Sequence, residues 1–260
     1  MSDSTTATPP PDEPLADIIA EGLALVRAAE ERGLTLRLFG GVAIRVRSSR
    51  QYAPLTRTYN DIDLFAPRRS STQVAKLFEA RGYDQDRQFN AMHGHFRLIY
   101  NDTTHNRQVD VFVGRFEMCH TLPLGDRLHL HPLTLSPADL MLTKLQIVEL
   151  NDKDQRDLLA LVLDHEIGDS DTDKLSGSCV AAECAADWGL WRTVTGNLDR
   201  LAGAAGSYGL AAEEQALIIR RLQTLQDLIS AQRKSRRWKT RALVGERAQW
   251  YELPEEVGGA

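Results

Sequence analysis

Residues 59–65 read Tyr-Asn-Asp-Ile-Asp-Leu-Phe, a stretch in which acidic and apolar side chains alternate. Alternation with a period of two is typical of a β-strand, so Asp61 and Asp63 are expected on one face of the strand. Ile62 and Leu64 are then expected on the other face, toward a core. Because two residues of a strand span about 6.6 Å, both carboxylates can reach one cation or a close pair of cations. An Asp-x-Asp pair on an open antiparallel sheet can also simply face solvent, so other parts of the sequence are needed to distinguish a metal site from a solvent-facing pair.

A third acid lies between apolar neighbours in a second strand-like stretch, 108–113, which reads Gln-Val-Asp-Val-Phe-Val. If this strand lies beside 59–65, Asp110 converges with Asp61 and Asp63. Like charges gathered in this way need a compensating proton or metal ion. Since the donors are all carboxylate oxygens, the sequence predicts that these three residues bind Mg²⁺ or Mn²⁺.

A glycine pair, Gly40-Gly41, follows an alternating stretch at 34–39 and precedes Val42-Ala43-Ile44, which begins a helix pattern. Glycine allows a ligand to approach the backbone closely, and a helix N-terminus offers N–H groups and a positive dipole end to phosphate. Alone, a Gly-Gly turn is a weak signal. Combined with the three acids, it predicts a phosphate-binding turn next to the metal ligands.

The periodicity of the remaining chain predicts a mixed first part and a helical second part. The stretches expected to be helical are 15–32, 72–81, 137–150, 157–163, 182–201 and 211–232, and a further strand is expected at 94–100. A polar linker is expected at 168–178. We therefore predict a disordered tail over 1–14, a catalytic core over 15–130 and a mainly helical recognition region over 131–260.

Composition narrows the class of protein. The chain has 260 residues, of which 42% are hydrophobic and 26% charged, as expected for a globular protein. Apolar stretches end well before the roughly 20 residues of a membrane span, and no export signal is evident, so a cytoplasmic protein is expected. The net charge of −5 argues against binding nucleic acid over the whole surface. Three cysteines without paired spacing indicate buried thiols.

The order of these features resembles the polymerase-beta-like nucleotidyltransferase superfamily, whose core carries a glycine pair, an Asp-x-Asp/Glu motif and a later strand Asp. The resemblance covers roughly 34–115, with an extra loop at 48–58. It implies an α+β fold, in which a mixed sheet with flanking helices is followed by a helical C-terminal region. It also implies an enzyme of the nucleotidyltransferase class that uses a nucleoside triphosphate such as ATP.

A narrower resemblance lies in Lys144 and the stretch 153–158, which reads Lys-Asp-Gln-Arg-Asp-Leu and looks like the later motifs of the AbiEii/MenT-type nucleotidyltransferases. That group includes toxins of toxin–antitoxin pairs. The resemblance implies that Lys144 contacts the triphosphate and that Asp154 or Asp157 positions groups at the active site. Lys144 on its own is equally compatible with a solvated helix residue. The chain departs from the group by placing Tyr59 between Arg57-Thr58 and the acids.

The chemistry implied is transfer of a nucleoside monophosphate to an acceptor hydroxyl with release of pyrophosphate. The acceptor is left open among tRNA or another RNA, a protein and a small molecule such as an aminoglycoside, and a toxin would also have an antitoxin partner. A catalytically silent nucleotide-binding protein, or a regulatory module, is the alternative from another functional class.

Two further stretches could contact substrate. His93, His95 and Arg97 would share one face of the strand expected at 94–100, although His-Gly-His is weak as a metal motif. The run 233–241 mixes Lys and Arg with a tryptophan, a composition that can bind phosphate and stack a base but also fits a solvated helix end.

Overall fold

The computed structural model describes residues 13–48, 50–172 and 174–253. Most of the tail expected over 1–14 lies outside the described residues. Within them, no helix is both long and apolar enough to cross a membrane.

A five-stranded sheet forms the centre of the first half of the chain. Its strands are β1 (Arg37–Phe39), β2 (Asp61–Ala66), β3 (Asp84–Gln85), β4 (Arg97–Asp102) and β5 (Arg107–Val113). They lie in the order β1-β2-β5-β4-β3. The pair β2 and β5 is parallel, and the other neighbouring strands are antiparallel. The sheet is therefore mixed. Two short sheets follow: β6 (Phe116–Glu117) with β7 (Thr121–Leu122), and β8 (Ile167–Gly168) with β9 (Leu175–Ser176).

Helices flank the sheet and dominate the second half. Those of the first half are α1 (Ile18–Glu31), α2 (Gly40–Arg47), α3 (Ser71–Ala80) and α4 (Arg87–His93). Those of the second half are α5 (Pro137–Leu145), α6 (Asp152–Asp164), α7 (Gly177–Ala186), α8 (Trp188–Ala204), α9 (Ala212–Ala231) and α10 (Arg236–Val244). This arrangement confirms the predicted α+β class, with a mixed sheet, flanking helices and a mainly helical C-terminal region.

The alternation expected in 59–65 holds in β2. Ile62 and Leu64 have no exposed surface and join the core, whereas Asp61 is exposed and Asp63 is partly buried. The buried apolar side chains form one cluster that extends from Leu25 in α1 to α9 in the second half. The sheet and the C-terminal helices therefore share a hydrophobic core, and the boundary expected near residue 130 stays a prediction.

Helix capping explains where the expected elements were wrong. Asp86 accepts a hydrogen bond from the Phe89 backbone N–H and starts α4, which continues through His93. The strand expected from residue 94 begins only at Arg97. His93 and His95 thus do not share a strand face with Arg97. Their rings contact aromatic neighbours instead, Phe89 and Phe96 for His93 and Phe96 for His95.

Capping also divides the later helices. The helix expected over 137–150 ends at Leu145, and Asn151 is the N-cap of α6, accepting from the Asp154 N–H. The helix expected over 182–201 is two helices, because Asp187 accepts from the Leu190 N–H and starts α8. Local side-chain acceptors at these positions satisfy the free N–H groups of a new helix end.

Candidate active site

The three acids lie on adjacent strands of the main sheet. In the parallel pair of β2 and β5, Asp63 is directly opposite Asp110 and Asp61 is opposite Gln108. On the other side of β2, Phe39 of β1 is opposite Asp63. Since directly opposed residues point to the same face of a sheet, the alternation of β2 and the register place all three carboxylates on one face.

Asp63 is the electrostatic centre of this face. Burial raises the pKa of Asp63 well above its ordinary value, and the negative charges of Asp61 and Asp110 raise it further. Lys144 and Arg97 act in the opposite direction. An ionised Asp63 is therefore unfavourable in the protein alone, and a cation bound here would relieve the repulsion.

Arg97 holds Asp110 in a fixed position. The Arg97 Nε and one terminal nitrogen donate to Oδ1 of Asp110 at 2.9 and 2.8 Å. The Gln108 amide donates to Oδ2 at 2.8 Å. The Arg97 guanidinium also lies over the Phe112 ring, 5.0 Å from its centroid. Both oxygens of Asp110 thus have protein donors, and Arg97, expected to face nucleotide or acceptor, is paired with the third acid.

Gly40 brings the backbone close to these acids. It begins α2 with φ of +65°, and a Cβ at this position would lie 2.0 Å from Oδ2 of Asp63. A side chain at Gly41 would similarly lie 2.0 Å from a terminal nitrogen of Arg57. Because neither glycine has a side chain, the Asp63 carboxylate and the Arg57 guanidinium can lie against the backbone of this turn. A turn that polar groups approach so closely is also expected to admit phosphate oxygens beside them.

We expect Gly40→Ala to unfold at lower temperature, because the added methyl group must displace the Asp63 carboxylate. Gly33→Ala is the matched control, since Gly33 has φ of +67° but a methyl group added there would meet no atom within 4 Å. The control isolates the strain of positive φ, which costs about 1–2 kcal/mol. Thermal melts of both variants test this, and equal decreases in melting temperature at the two positions would contradict it.

A buried ionic network lies beside the acids and joins the two halves of the chain. Lys144 of α5 donates to Oδ1 of Asp154 at 2.6 Å and lies 3.3 Å from Oδ2 of Asp157. Arg57 donates two hydrogen bonds to Asp157, at 2.8 and 2.6 Å. The Arg57 guanidinium also lies 4.3 Å from the Tyr59 ring centroid. Tyr59, the departure from the AbiEii/MenT-type pattern, therefore orients Arg57.

The network keeps its two cations charged. Burial alone would lower the pKa of Lys144, but Asp157 and Asp154 outweigh it and raise that pKa. For Arg57, burial is likewise outweighed by the hydrogen bonds and charge of Asp157, so its pKa is also raised. The negative charge of Asp63 also raises the pKa of Lys144, so this ammonium group interacts electrostatically with the acids on the sheet. The two carboxylates of the network balance its two cations, and within it Lys144 is the cation that interacts with Asp63.

The structure places Lys144, Asp154 and Asp157 in one network, and their roles toward a triphosphate stay predictions; Arg57 and Arg97 were not predicted as partners of buried acids. Arg97 could have been found from its position one strand away from Asp110. Arg57 has no comparable signal, because its partner lies 100 residues away. The run 233–241 lies elsewhere: Ser235 and Trp238 donate to backbone carbonyls of α7.

The donor set suits a hard divalent cation, but its present arrangement does not complete a site. Carboxylates of Asp61, Asp63 and Asp110 offer only oxygen atoms, which Mg²⁺ and Mn²⁺ prefer. The repulsion at Asp63 gives such a cation a favourable place to bind. Among the residues that the structure describes, no three His, Cys, Asp or Glu side chains converge as they stand on a point that could hold a metal ion. Arg97 and Gln108 each donate to one oxygen of Asp110 and fix its orientation, and the lone pairs left on that carboxylate can still serve a cation.

Comparison with known proteins gives structural neighbours only. No protein-family model matches the chain, and no curated protein matches it. The chain is similar to the solution structure of the antibiotic-resistance factor ANT(2'')-Ia, with 15% identity, a TM-score of 0.40 and coverage of 73% of this chain and 95% of that chain. It is also similar to an antigenic nucleotidyltransferase-like protein from Paracoccidioides brasiliensis, with 12% identity, a TM-score of 0.39 and coverage of 84% and 94%. Both similarities are low, so the chemistry of the site rests on the side chains of this chain alone.

Proposed function

We propose that this chain is a metal-dependent nucleotidyltransferase, which moves a nucleoside monophosphate from a nucleoside triphosphate to an acceptor hydroxyl. The observation that carries the proposal is the register of β2 with β5, because it sets Asp63 opposite Asp110. Asp61 shares their face, and the side-chain-free turn at Gly40 lies against Asp63. Clustered carboxylates next to a glycine turn are suited to binding a cation and the phosphates that accompany it.

Asp61, Asp63 and Asp110 would hold Mg²⁺ or Mn²⁺, which supplies charge neutralisation and polarisation of phosphate oxygens when bound. The absence of side chains at Gly40 and Gly41 lets the Asp63 carboxylate and the Arg57 guanidinium approach this turn, and the triphosphate would bind beside them. Lys144 offsets negative charge near the acids and is itself positioned by Asp154 and Asp157. In our proposal it contacts the triphosphate, with Arg57 as a second cation held by Asp157.

The reaction is an in-line displacement. The acceptor hydroxyl oxygen forms a bond to the α-phosphorus while the bond from that phosphorus to the bridging oxygen breaks, so pyrophosphate leaves. The hydroxyl proton passes to the carboxylate of Asp110 once Arg97 has withdrawn from it. The residues of this chain thus orient the triphosphate, neutralise its charge and accept one proton.

The acceptor hydroxyl can belong to RNA, to a protein or to a small molecule. We propose RNA, tRNA included, as the first candidate acceptor, because the basic helix α10 offers a surface for it. In the same hypothesis the protein acts in the cytoplasm as a toxin with a cognate antitoxin. A protein hydroxyl or a small molecule of the aminoglycoside type uses the same chemistry. The pairing of Asp110 with Arg97 favours one alternative, a silent nucleotide-binding protein in which that pair never opens.

The test is label transfer from each α-labelled nucleoside triphosphate to total RNA, total protein and added aminoglycosides, in the presence of Mg²⁺ or Mn²⁺. Wild type is compared with Asp61→Ala/Asp63→Ala and with Asp84→Ala, a matched control at an exposed strand acid. We expect labelled acceptor with wild type and the control only. Nucleotide binding without transfer to any acceptor class would support the silent protein and overturn the enzyme.

A further inference from the structure

A second site-like feature lies in the helical half of the chain. A cavity of about 480 Å³ opens between the β6–β7 hairpin, the start of α8, α10 and the segment that follows α10. Its volume lies in the range of small-molecule pockets. Its walls include three of the four tryptophans of the chain together with two arginines of α10. They are Trp188, Trp238, Trp250, Arg237 and Arg241.

The aromatic walls are held in place rather than free to collapse. The Trp238 indole N–H donates to the Cys184 carbonyl at 3.0 Å. The Trp250 indole N–H donates at 3.2 Å to the Thr193 hydroxyl, which is also hydrogen-bonded to His120 at 2.8 Å. The indole donors of Trp238 and Trp250 thus have partners, and Arg241 covers the buried Trp188 ring, so the rings of Trp238 and Trp250 are the parts left to contact a ligand.

The segment that closes the cavity is tied to the rest of the fold. The Arg241 guanidinium donates to the carbonyls of Gly245, Ala248 and Gln249, and it lies 4.6 Å from the centroid of the Trp188 ring. The Glu252 N–H donates to the Cys119 carbonyl at 3.0 Å. The cavity is thus built by contacts from distant parts of the sequence.

Exposed cations lie along α10 beside this cavity, whose own lining carries Asp187 and Glu252 as well as Arg237 and Arg241. Arg236, Arg237 and Lys239 are exposed on α10, and no ion pair within the described part of the chain engages them. Arg237 lines the aromatic cavity, whereas Arg236 and Lys239 line a second open cavity of about 490 Å³ on the other side of the helix. A cationic helix next to an aromatic pocket stands out in a chain whose net charge is −5.

We propose that this cavity, named here the tryptophan pocket and defined by Trp188, Trp238, Trp250, Arg237 and Arg241, binds one unstacked base of a single-stranded RNA, with the adjoining phosphate on Arg237 and the strand continuing around α10 to Arg236 and Lys239. Aromatic faces stack bases, and exposed Lys and Arg side chains bind the backbone that connects them. A duplex cannot offer an unstacked base to such a pocket. As an acceptor site the pocket rests on the transferase function proposed above, whereas RNA binding itself does not.

Intrinsic fluorescence gives a direct test, because all four tryptophans of the chain, Trp191 included, belong to this region. The probe is a short single-stranded oligoadenylate, titrated into the full chain without metal or triphosphate. We expect quenching of tryptophan emission and affinity that falls with salt, with a slope near −2 for about three phosphate contacts. The same strand in a duplex should bind at least about tenfold more weakly.

Two variants separate charge from stacking. Arg236→Gln/Arg237→Gln/Lys239→Gln should weaken binding and flatten the salt dependence, whereas Trp250→Ala should weaken binding about tenfold with the salt slope unchanged. The matched charge control replaces three exposed cations remote from the pocket and should bind as wild type: Lys76→Gln/Arg87→Gln/Arg220→Gln. Circular dichroism checks that each variant is folded.

The outcomes are distinct from those of the transferase proposal. Asp63→Asn should bind the oligoadenylate as wild type even though it loses transfer, so failure of the chemistry leaves this test intact. Absence of quenching at low salt, equal affinity for duplex, or quenching by an acidic peptide but not by RNA would each overturn the RNA pocket. The last outcome would assign the surface to a protein partner.

Discussion

Asp63→Asn will abolish nucleotidyl transfer and at the same time raise the melting temperature of the metal-free protein. The loss is expected on the order of a thousandfold or more, since in the proposed mechanism the Asp63 charge holds the cation against the phosphates. The gain in stability follows from the same charge, because burial and the neighbouring Asp61 and Asp110 disfavour an ionised Asp63. Each kcal/mol gained would raise the melting temperature by roughly 2–4 °C.

The pH dependence of the free energy of unfolding tests independently whether the Asp63 charge destabilises the metal-free protein. The pKa of Asp63 in the folded protein lies above its value in the unfolded chain. The folded state therefore holds the proton more tightly, and this contribution to stability is fully present below the ordinary pKa of 3.8. It is lost as the pH rises through the folded-state pKa. Metal-free wild type should thus lose stability relative to Asp63→Asn over that window, as measured by urea unfolding at a series of pH values.

Asp61→Asn is the matched control, because Asp61 carries the same charge on the same strand but is exposed. We expect it to lose transfer with a smaller change in melting temperature. Added Mn²⁺ should stabilise wild type and leave Asp63→Asn unchanged. A variant of Asp63 that melts below wild type without metal would show that the carboxylate is a structural hydrogen-bond partner rather than a repelled charge.

The strand that carries Asp61 and Asp63 could be predicted because its information is local. Alternation of polar and apolar residues fixes which side chains share a face, and the buried Ile62 and Leu64 agree with it. The side of the sheet on which Asp110 lies is likewise fixed by its apolar neighbours. The alternation of polar and apolar residues does not predict which strands are neighbours in the sheet, because the pairing of β2 with β5 depends on the whole topology.

The errors at His93 and Arg97 have a different origin. The capping residue Asp86 starts a helix that extends into the region expected to precede the strand. The strand-like alternation of His93 and His95 therefore predicted the wrong element for these residues. The strand still reaches Arg97, and its pairing with β5 then brings the guanidinium to Asp110. The sequence predicts two consecutive strands here, but which of their residues lie side by side depends on the register of β4 with β5.

The position of Arg57 shows how the extra loop at 48–58 is accommodated. Its guanidinium crosses to α6 and meets Asp157, so the loop is fastened to the helical half next to the acidic face. Lys144 approaches the same carboxylate from α5. One aspartate therefore joins a loop and two helices, and substitution of that residue should have the largest structural effect in the site.

Asp157→Ala is expected to destabilise the protein by about 3–5 kcal/mol, because it leaves two cations without their shared buried anion. The Asp157 side chain is 3% exposed, and those of Arg57 and Lys144 are 12% and 14% exposed, so solvent cannot replace the lost partner. Lys144 keeps Asp154 at 2.6 Å, whereas Arg57 loses both of its hydrogen bonds to a carboxylate. Chemical unfolding measures the loss.

Asp152→Ala is the control on the same helix. Asp152 pairs with Arg156 at 2.7 Å, but its side chain is 64% exposed, so the variant should lose less than about 1 kcal/mol. A double variant, Arg57→Ala/Asp157→Ala, tests the cause. If the cost of Asp157→Ala comes from an uncompensated Arg57, removing both charges should cost less than the sum of the two single variants. Additive losses would instead mean that each side chain stabilises the protein through its own packing, and the network would then be no basis for assigning Arg57 to the triphosphate.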